Sequence, residues 1–193
     1  MVAATPLDPG FFGRSVHEVA PELIGCVITH RGVGGPIVEV EAYEQTDEAS
    51  HSFGGPTQRN AAMFGPPGHI YVYRSYGIHW CMNLVCDRER YGAGVLLRAI
   101  EPEFGVEAMR KRRGGRPDRE LASGPGRLTA ALGITHEHNG LTLGGDVVVK
   151  GRLGEERVVA GPRIGISKAV DVPWRYGRAE SRYLSRPMQP KAK

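Results

Sequence analysis

Glu39 and Glu41, His51 and four tyrosines (Tyr43, Tyr71, Tyr73 and Tyr76) crowd the run from Val38 to Asn83, a density of polar aromatic chemistry that a core alone does not require. In Val38-Glu39-Val40-Glu41-Ala42-Tyr43 a strand's period of two puts Glu41 and Tyr43 on one face. A carboxylate so placed can act as a general base, with an arginine and backbone groups fixing a water beside it. Aromatic walls suit a flat ligand with hydrogen-bonding edges, such as a nucleobase. An enzyme working on a base must take it out of the stack and fill the gap it leaves. Tyr76, in the turn Ser75-Tyr76-Gly77, has the position for a wedge.

The elements that must position these residues read as follows. Ser15-Val16-His17-Glu18 has capping-box spacing and starts a short helix reaching Leu23, limited by Pro21. Cys26 to His30 and Ile37 to Tyr43 form a hairpin, with Val38, Val40 and Ala42 on one face and Ile37, Glu39, Glu41 and Tyr43 on the other. Thr46 to His69 is a long ordered loop that returns His51 to the strand. His69, Tyr71 and Tyr73 alternate with Ile70 and Val72, and a return strand runs from Ile78 to Val85. Gly94 to Ile100 is a further strand carrying Arg98 on the face of Leu96 and Ile100. A helix of about three turns follows Pro102, and a second spans Pro125 to Leu132. Its entrance, Ser123-Gly124-Pro125, places backbone N–H groups where a phosphate could bind. Strands return at Gly145 to Lys150, Glu156 to Ala160 and Pro162 to Ser167. Strands in runs, with helices at intervals, imply an α+β fold: a single domain with a curled, mainly antiparallel sheet flanked by helices.

Composition sets the outer bounds. The chain has 193 residues, 40% apolar and 24% charged, enough for one sizeable core. It shows no signal peptide and no apolar run of spanning length, so the expectation is a cytoplasmic protein, nucleoid-associated if bacterial, without membrane contact. Cys26, Cys81 and Cys86 lack zinc or redox spacing and read as reduced core thiols. His17, His30, His136 and His138 read as surface residues, and His136-Glu137-His138 has no further ligands around it, so no metal or cofactor is expected. The formal charge of +4 is unevenly spread: Arg110 to Arg127 is strongly basic, as is the segment from Arg163 through Lys191 and Lys193. Such arginine-rich segments favour a phosphate-rich partner.

Eight ordered pieces carry a resemblance: Ile37 to Tyr43; Asp47-Glu48-Ala49-Ser50-His51; Arg59-Asn60 with Met63 to Gly68; Tyr71-Val72-Tyr73; Tyr76-Gly77 with Asn83; Val95 to Pro102; Ser123-Gly124-Pro125; and Arg163-Ile164-Gly165-Ile166. Together they closely resemble the alkyladenine (3-methyladenine) DNA glycosylase family over nearly the whole chain. The resemblance implies a monofunctional hydrolase, acting as a monomer on double-stranded DNA, that removes alkylated or deaminated purines, with hypoxanthine and ethenoadenine as open candidates, to leave an abasic site. It makes Glu41 the general base, with Arg98 and the backbone carbonyl of Ile164 positioning the water. It puts the flipped base between Tyr73 on one side and Tyr43 with His51 on the other. Backbone groups at Ala49 and His51 would read the purine edge, Asn83 would disfavour guanine's exocyclic amino group, and Tyr76 would intercalate. Ser123, Gly124, Arg127 and Arg163 are the candidates for phosphate contact. The segment from Trp174 to Ser185 follows the family pattern only in part.

Each residue also has a plain structural reading. Glu39 suits a solvated edge position, Tyr71 a core position, and Arg98 an internal ion pair with a carboxylate such as Glu41. Two rival functions remain at this level. One is a non-catalytic nucleic-acid-binding module of the same fold; the other is a small-molecule hydrolase using Glu41 and Arg98.

Overall fold

The longest strand organises the sheet. In the computed structural model, which describes residues 4–188, helices α1 (Pro9–Phe12) and α2 (Val16–Glu22) precede strands β1 (Val27–His30) and β2 (Val33–Tyr43). After a long loop come β3 (Ile70–Ser75), β4 (His79–Val85) and β5 (Gly94–Ile100), then helices α3 (Val106–Arg112), α4 (Asp118–Leu121) and α5 (Pro125–Leu132), and finally β6 (Val147–Lys150), β7 (Val158–Gly161) and β8 (Arg175–Arg178). The sheet order is β3-β4-β5-β2-β1-β6, with β8 added to β2 and β7 to β8, and every named ladder is antiparallel. This is the expected α+β architecture. Lys191 and Lys193 lie outside the described residues.

One face of this sheet makes the main core. Val40 and Ala42 of β2, Val72 of β3, Met82 and Leu84 of β4, and Val95 and Leu97 of β5 pack with Val16 and Val19 of α2, Met109 of α3 and Leu128 and Leu132 of α5. Full burial of each large aliphatic contributes about 1.5–3 kcal/mol. The opposite face is left for Glu41, Tyr43, Tyr71, Tyr73, Asn83 and Arg98. The alternation read from the sequence therefore holds along β3 and β4, but it breaks between β2 and β5. Pairing there shifts register around Glu39, which faces Ala99, while Ile37 faces Ile100 and Val40 faces Leu97. As a result Ile37 and Ile100 join the main core, whereas Val38 packs with Ala99 and Tyr183 in a separate cluster. Ile37 and Ile100 thus leave the face that carries Glu41 and Arg98.

Local chemistry accounts for other differences. Ser15 caps α2 by accepting from the His17 amide at 3.3 Å, and Pro21 is accommodated in the last turn. Gly105 enters α3 at φ 63°, so this helix starts late and makes about two turns instead of three. The segment 162–167, expected as a strand, is irregular, and β8 was not anticipated. The cysteines are free and buried, as expected. No helix among the described residues is long and apolar enough to cross a membrane.

His30 and His138, expected at the surface, are buried and face each other. His30 Nδ1 lies 2.7 Å from the Leu132 carbonyl and must donate to it, leaving Nε2 as an acceptor. His138 Nε2, 3.2 Å away, then donates, and His138 Nδ1 accepts from the Thr135 amide at 3.2 Å. The anchored segment covers the outer edge of β3: the Val72 amide donates to Asn139 Oδ1 at 2.9 Å, and the Ile70 amide to the Leu141 carbonyl at 2.8 Å.

Burial, opposed by the Leu132 hydrogen bond and reinforced by His138, holds the His30 imidazole below the ordinary histidine range. A base whose folded pKa is depressed binds fewer protons folded than unfolded, so its stabilising effect is complete above about pH 6.5 and is lost as pH falls through that range. The midpoint of thermal unfolding should fall between about pH 7.5 and 5. His30→Asn should lower it at pH 7.5 and flatten the pH dependence, with the residual slope coming from other depressed histidines such as His51. Calorimetry across that range measures both effects.

Candidate active site

A cavity of about 670 Å³ opens on the sheet face opposite the main core, with Glu41, Tyr43, His51, Tyr73, Asn83 and Arg98 among its lining. The register of β2 and β5 sets Glu41 opposite Leu96, next to Arg98. Glu41 is wholly buried. Its Oε1 accepts from the Ile164 amide at 2.8 Å and faces Arg98 Nη1 at 3.3 Å, and its Oε2 accepts from the Tyr43 hydroxyl at 2.8 Å. A carboxylate offers about four lone-pair sites, so these two hydrogen bonds, with the Arg98 ion pair beside them, leave room for a further proton donor such as a water.

Arg98 is 6% exposed and divides its fork: Nε reaches Glu39 at 2.9 Å, Nη1 reaches Glu41, and Nη2 reaches Ser185 Oγ at 3.2 Å. Burial works against its charge, but Glu41 and Glu39 together outweigh it and the guanidinium pKa is raised. The reading of Glu39 as a solvated edge residue is overturned. It is wholly buried and accepts from Arg98, from Arg175 Nε at 2.8 Å, and from both the amide and hydroxyl of Ser185.

The aromatic wall is built by β2 and β3. Burial first, and the Glu41 charge second, raise the Tyr43 phenol well above its ordinary range, so it stays a donor. Burial likewise raises Tyr73, and pushes Tyr71 up to about 12. Tyr71 is buried as a core residue, yet its hydroxyl lies 3.1 Å from His51 Nδ1. Tyr71 and Tyr73 stack with centroids 5.6 Å apart. His51 meets Tyr73 edge to face at 4.4 Å, whereas a base stacked between two rings needs roughly 7 Å between them. His51 therefore stands against Tyr73 instead of across from it. Partial desolvation, then the Arg59 charge, holds its imidazole low.

The loop after β2 presents backbone groups selectively. The Ala49 amide donates to Asp47 Oδ1 at 3.0 Å and the His51 carbonyl accepts from Asn60 Nδ2 at 2.8 Å. What remains is the Ala49 carbonyl as an acceptor and the His51 amide as a donor. Asn83, 4% exposed, donates from Nδ2 to the Tyr71 carbonyl at 3.2 Å, which fixes the orientation of its amide. Tyr76 stands at the β3–β4 tip, 87% exposed, beside the cavity mouth. Its φ of 50° and that of Gly77, 69°, put both in the left-handed region of the three-residue connection between Ser75 and His79, where the Ile78 amide donates back to the Ser75 carbonyl at 3.0 Å.

The phosphate candidates fare differently. The Arg163 side chain is completely buried; it forms a bidentate ion pair with Asp47, donates to the Ala42 carbonyl at 3.0 Å, and lies between the Tyr43 and Trp174 rings at 4.6 and 5.1 Å. It cannot reach a phosphate, and it instead holds Ile164 where its amide meets Glu41. The Gly124 amide is taken by the Arg98 carbonyl at 2.8 Å, and Pro125 has no N–H, so neither serves an anion. Ser123 is buried, with its hydroxyl accepting from Arg127 Nη1 at 3.3 Å. Arg127 alone of the four is exposed. Among the described residues no group of three or more His, Cys, Asp or Glu is placed to hold a metal ion.

Glu39, Asp47, Arg175 and Ser185 are the supporting residues that sequence reasoning missed. Glu39 had a signal, since it shares the strand parity of Glu41. Arg175 and Ser185 had none, because they lie more than a hundred residues away along the chain.

With this geometry in place, comparison with known proteins identifies the family. The model described as methylpurine-DNA glycosylase matches residues 10–182. A protein of Rhodopseudomonas palustris is 60% identical over 185 residues, covering 95% of this chain and 92% of the relative. Relatives from Nitrobacter winogradskyi and Nitrosospira multiformis are each 57% identical, covering 97% and 92% of this chain and 91% and 93% of themselves. All three carry the name "Putative 3-methyladenine DNA glycosylase".

Because Arg163 is buried, removing its counter-charge should cost stability. Asp47→Asn should lower the unfolding free energy by about 3–5 kcal/mol, as expected when one partner of a buried pair is lost. Urea denaturation followed by tryptophan fluorescence measures this, with Trp174 stacked near the pair as an internal reporter.

Proposed function

The chain belongs to the methylpurine-DNA glycosylase family, and from that premise we propose that it flips alkylated purines, 3-methyladenine foremost, out of duplex DNA and hydrolyses their N-glycosidic bond without cutting the strand. Hypoxanthine and ethenoadenine are the further substrates to test. The observation that carries this reading is the state of Glu41: a buried carboxylate on the floor of an aromatic cavity, with two hydrogen bonds and an arginine ion pair fixing it and lone pairs left for a water. Glu41 takes a proton from the attacking water as its oxygen bonds to the sugar carbon and the purine leaves with the bonding electrons. Arg98 and the Ile164 carbonyl set the direction of the water, while the Ile164 amide holds Glu41 itself.

Tyrosine faces favour a purine made cationic by alkylation, which is already a good leaving group. The Ala49 carbonyl and His51 amide offer one acceptor and one donor to the base edge, and Asn83 lines the same wall. With His51 resting on Tyr73, the base slot lies toward Tyr43, or His51 swings aside as the base enters. Tyr76 fills the gap in the duplex. Lysine chemistry is not used: Lys168, at the cavity mouth, is 60% exposed opposite Glu48, whereas a Schiff-base lysine acts from a desolvated pocket. A binding module alone has no use for a buried carboxylate whose compensation occupies two arginines.

Glu41→Gln should reduce release of 3-methyladenine and hypoxanthine from duplex DNA by at least about 10²-fold while duplex affinity stays within about threefold. Retained excision would remove Glu41 from this role. Tyr76→Ala should weaken binding to lesion-bearing duplex more than to single strands, read by fluorescence anisotropy. Arg127→Ala should reduce the slope of log affinity against log salt by about one, the mark of a lost phosphate contact.

A further inference from the structure

We propose that Glu39 is a positioning residue for excision: it holds Arg98 by Nε and so keeps the guanidinium from closing on Glu41, with the C-terminal residues Ser185 to Pro187 completing the holder. This rests on the reading of Glu41 as the general base. An arginine alone with a carboxylate prefers a bidentate fork, in which two short N–H···O bonds neutralise the acceptor. Arg98 does not adopt that arrangement here. Its Nε is 2.9 Å from Glu39, while only Nη1 faces Glu41, at 3.3 Å, beyond the 2.7–2.9 Å usual for charge-assisted pairs. Glu41 is thereby oriented by a cation without being saturated by it, which preserves a lone pair for a water.

The holder is itself fixed on all sides. Glu39 accepts four donors: Arg98 Nε, Arg175 Nε, and the Ser185 amide and hydroxyl. Arg175 in turn donates to the Arg186 and Pro187 carbonyls, so the tail strap and β8 both close on the network. Two carboxylates face two guanidiniums, all buried, so the group is balanced overall and the role of Glu39 is one of direction. The other groups around Glu41 are Tyr43 from β2, Tyr73 from β3, Cys81 from β4 and the Ile164 amide; burial keeps the phenols and the thiol protonated, so Arg98 is the cation whose placement sets Glu41's surroundings. In the absence of Glu39, Arg98 can turn both N–H groups of its fork toward Glu41.

The test compares Glu39→Gln, the charge-balanced double variant Glu39→Gln with Arg175→Gln, Ser185→Ala and Glu41→Gln in single-turnover excision of 3-methyladenine from methylated duplex DNA, with Kd and thermal unfolding recorded for each. Glu39→Gln should slow the chemical step about 10–100-fold with Kd within about threefold, and move the acid limb of its pH profile to lower pH. The double variant restores charge balance and should stay slow, and Ser185→Ala, which keeps every charge, should show a smaller loss of about 3–10-fold. A double variant with the wild-type rate and acid limb would overturn the proposal, since Glu39 would then serve folding alone. The double variant also carries the test if the single one does not fold. Full activity in Glu41→Gln would instead overturn the general-base reading, while an inactive Glu41→Gln beside unaffected Glu39 variants would sink this inference and leave that reading standing.

Discussion

Burying a carboxylate at zero exposure is the constraint on which this structure turns. An isolated Glu41 in a protein interior would cost several kcal/mol, and it persists because Arg98, the Ile164 amide and the Tyr43 hydroxyl meet it there. Each donor then imposes its own demand. Arg98, buried too, needs Glu39; Glu39 needs Arg175 and Ser185; and Ile164 is held by its neighbour Arg163, which needs Asp47. One buried charge thus draws β2, β5, β8, the loop after β2 and the C-terminal strap into a single electrostatic assembly. Breaking any member leaves a partner unpaired in a dry interior, which is why such a network is rigid.

In the proposed reaction that rigidity has a chemical use. A general base works when it is aimed at a water and still has a lone pair to offer, and a water must be held along one line to attack efficiently. The same assembly that stabilises Glu41 also points Tyr43 and the Ala49–His51 backbone into the cavity, through the Arg163–Asp47 joint. In the proposed reaction, reading the base and activating the water therefore share supports. The aromatic wall on β3 depends on something different: its free edge is covered by the 138–141 segment, pinned by the His30–His138 pair, so that Tyr71 and Tyr73 keep a fixed plane.

Much of this was legible beforehand. Strand alternation alone placed Tyr71 with Tyr73 and Glu41 with Tyr43, because a two-residue period is a local property of the backbone. The limits of β5 and α5 were read correctly for the same reason, since Gly and Pro punctuate both. Errors arose wherever a residue's environment came from far away in the chain. Glu39 looked like a solvated edge residue because β8 was not foreseen, and β8 with the tail is what seals it. Arg163 looked like a phosphate ligand because Asp47 lies more than a hundred residues earlier, and Gly124 looked free because its amide partner is a carbonyl on β5.

Residue types, the side-chain faces of β3 and β4 and, through eight ordered motifs, the family follow from the pattern along the chain. Which charges are buried, which arginines are structural and which backbone groups remain free was decided only by the tertiary structure. The physical reason is that pattern along a chain encodes direction, through the fixed periods of strand and helix, whereas a charge's role depends on what lies within about 4 Å of it, and those neighbours are brought there by folding.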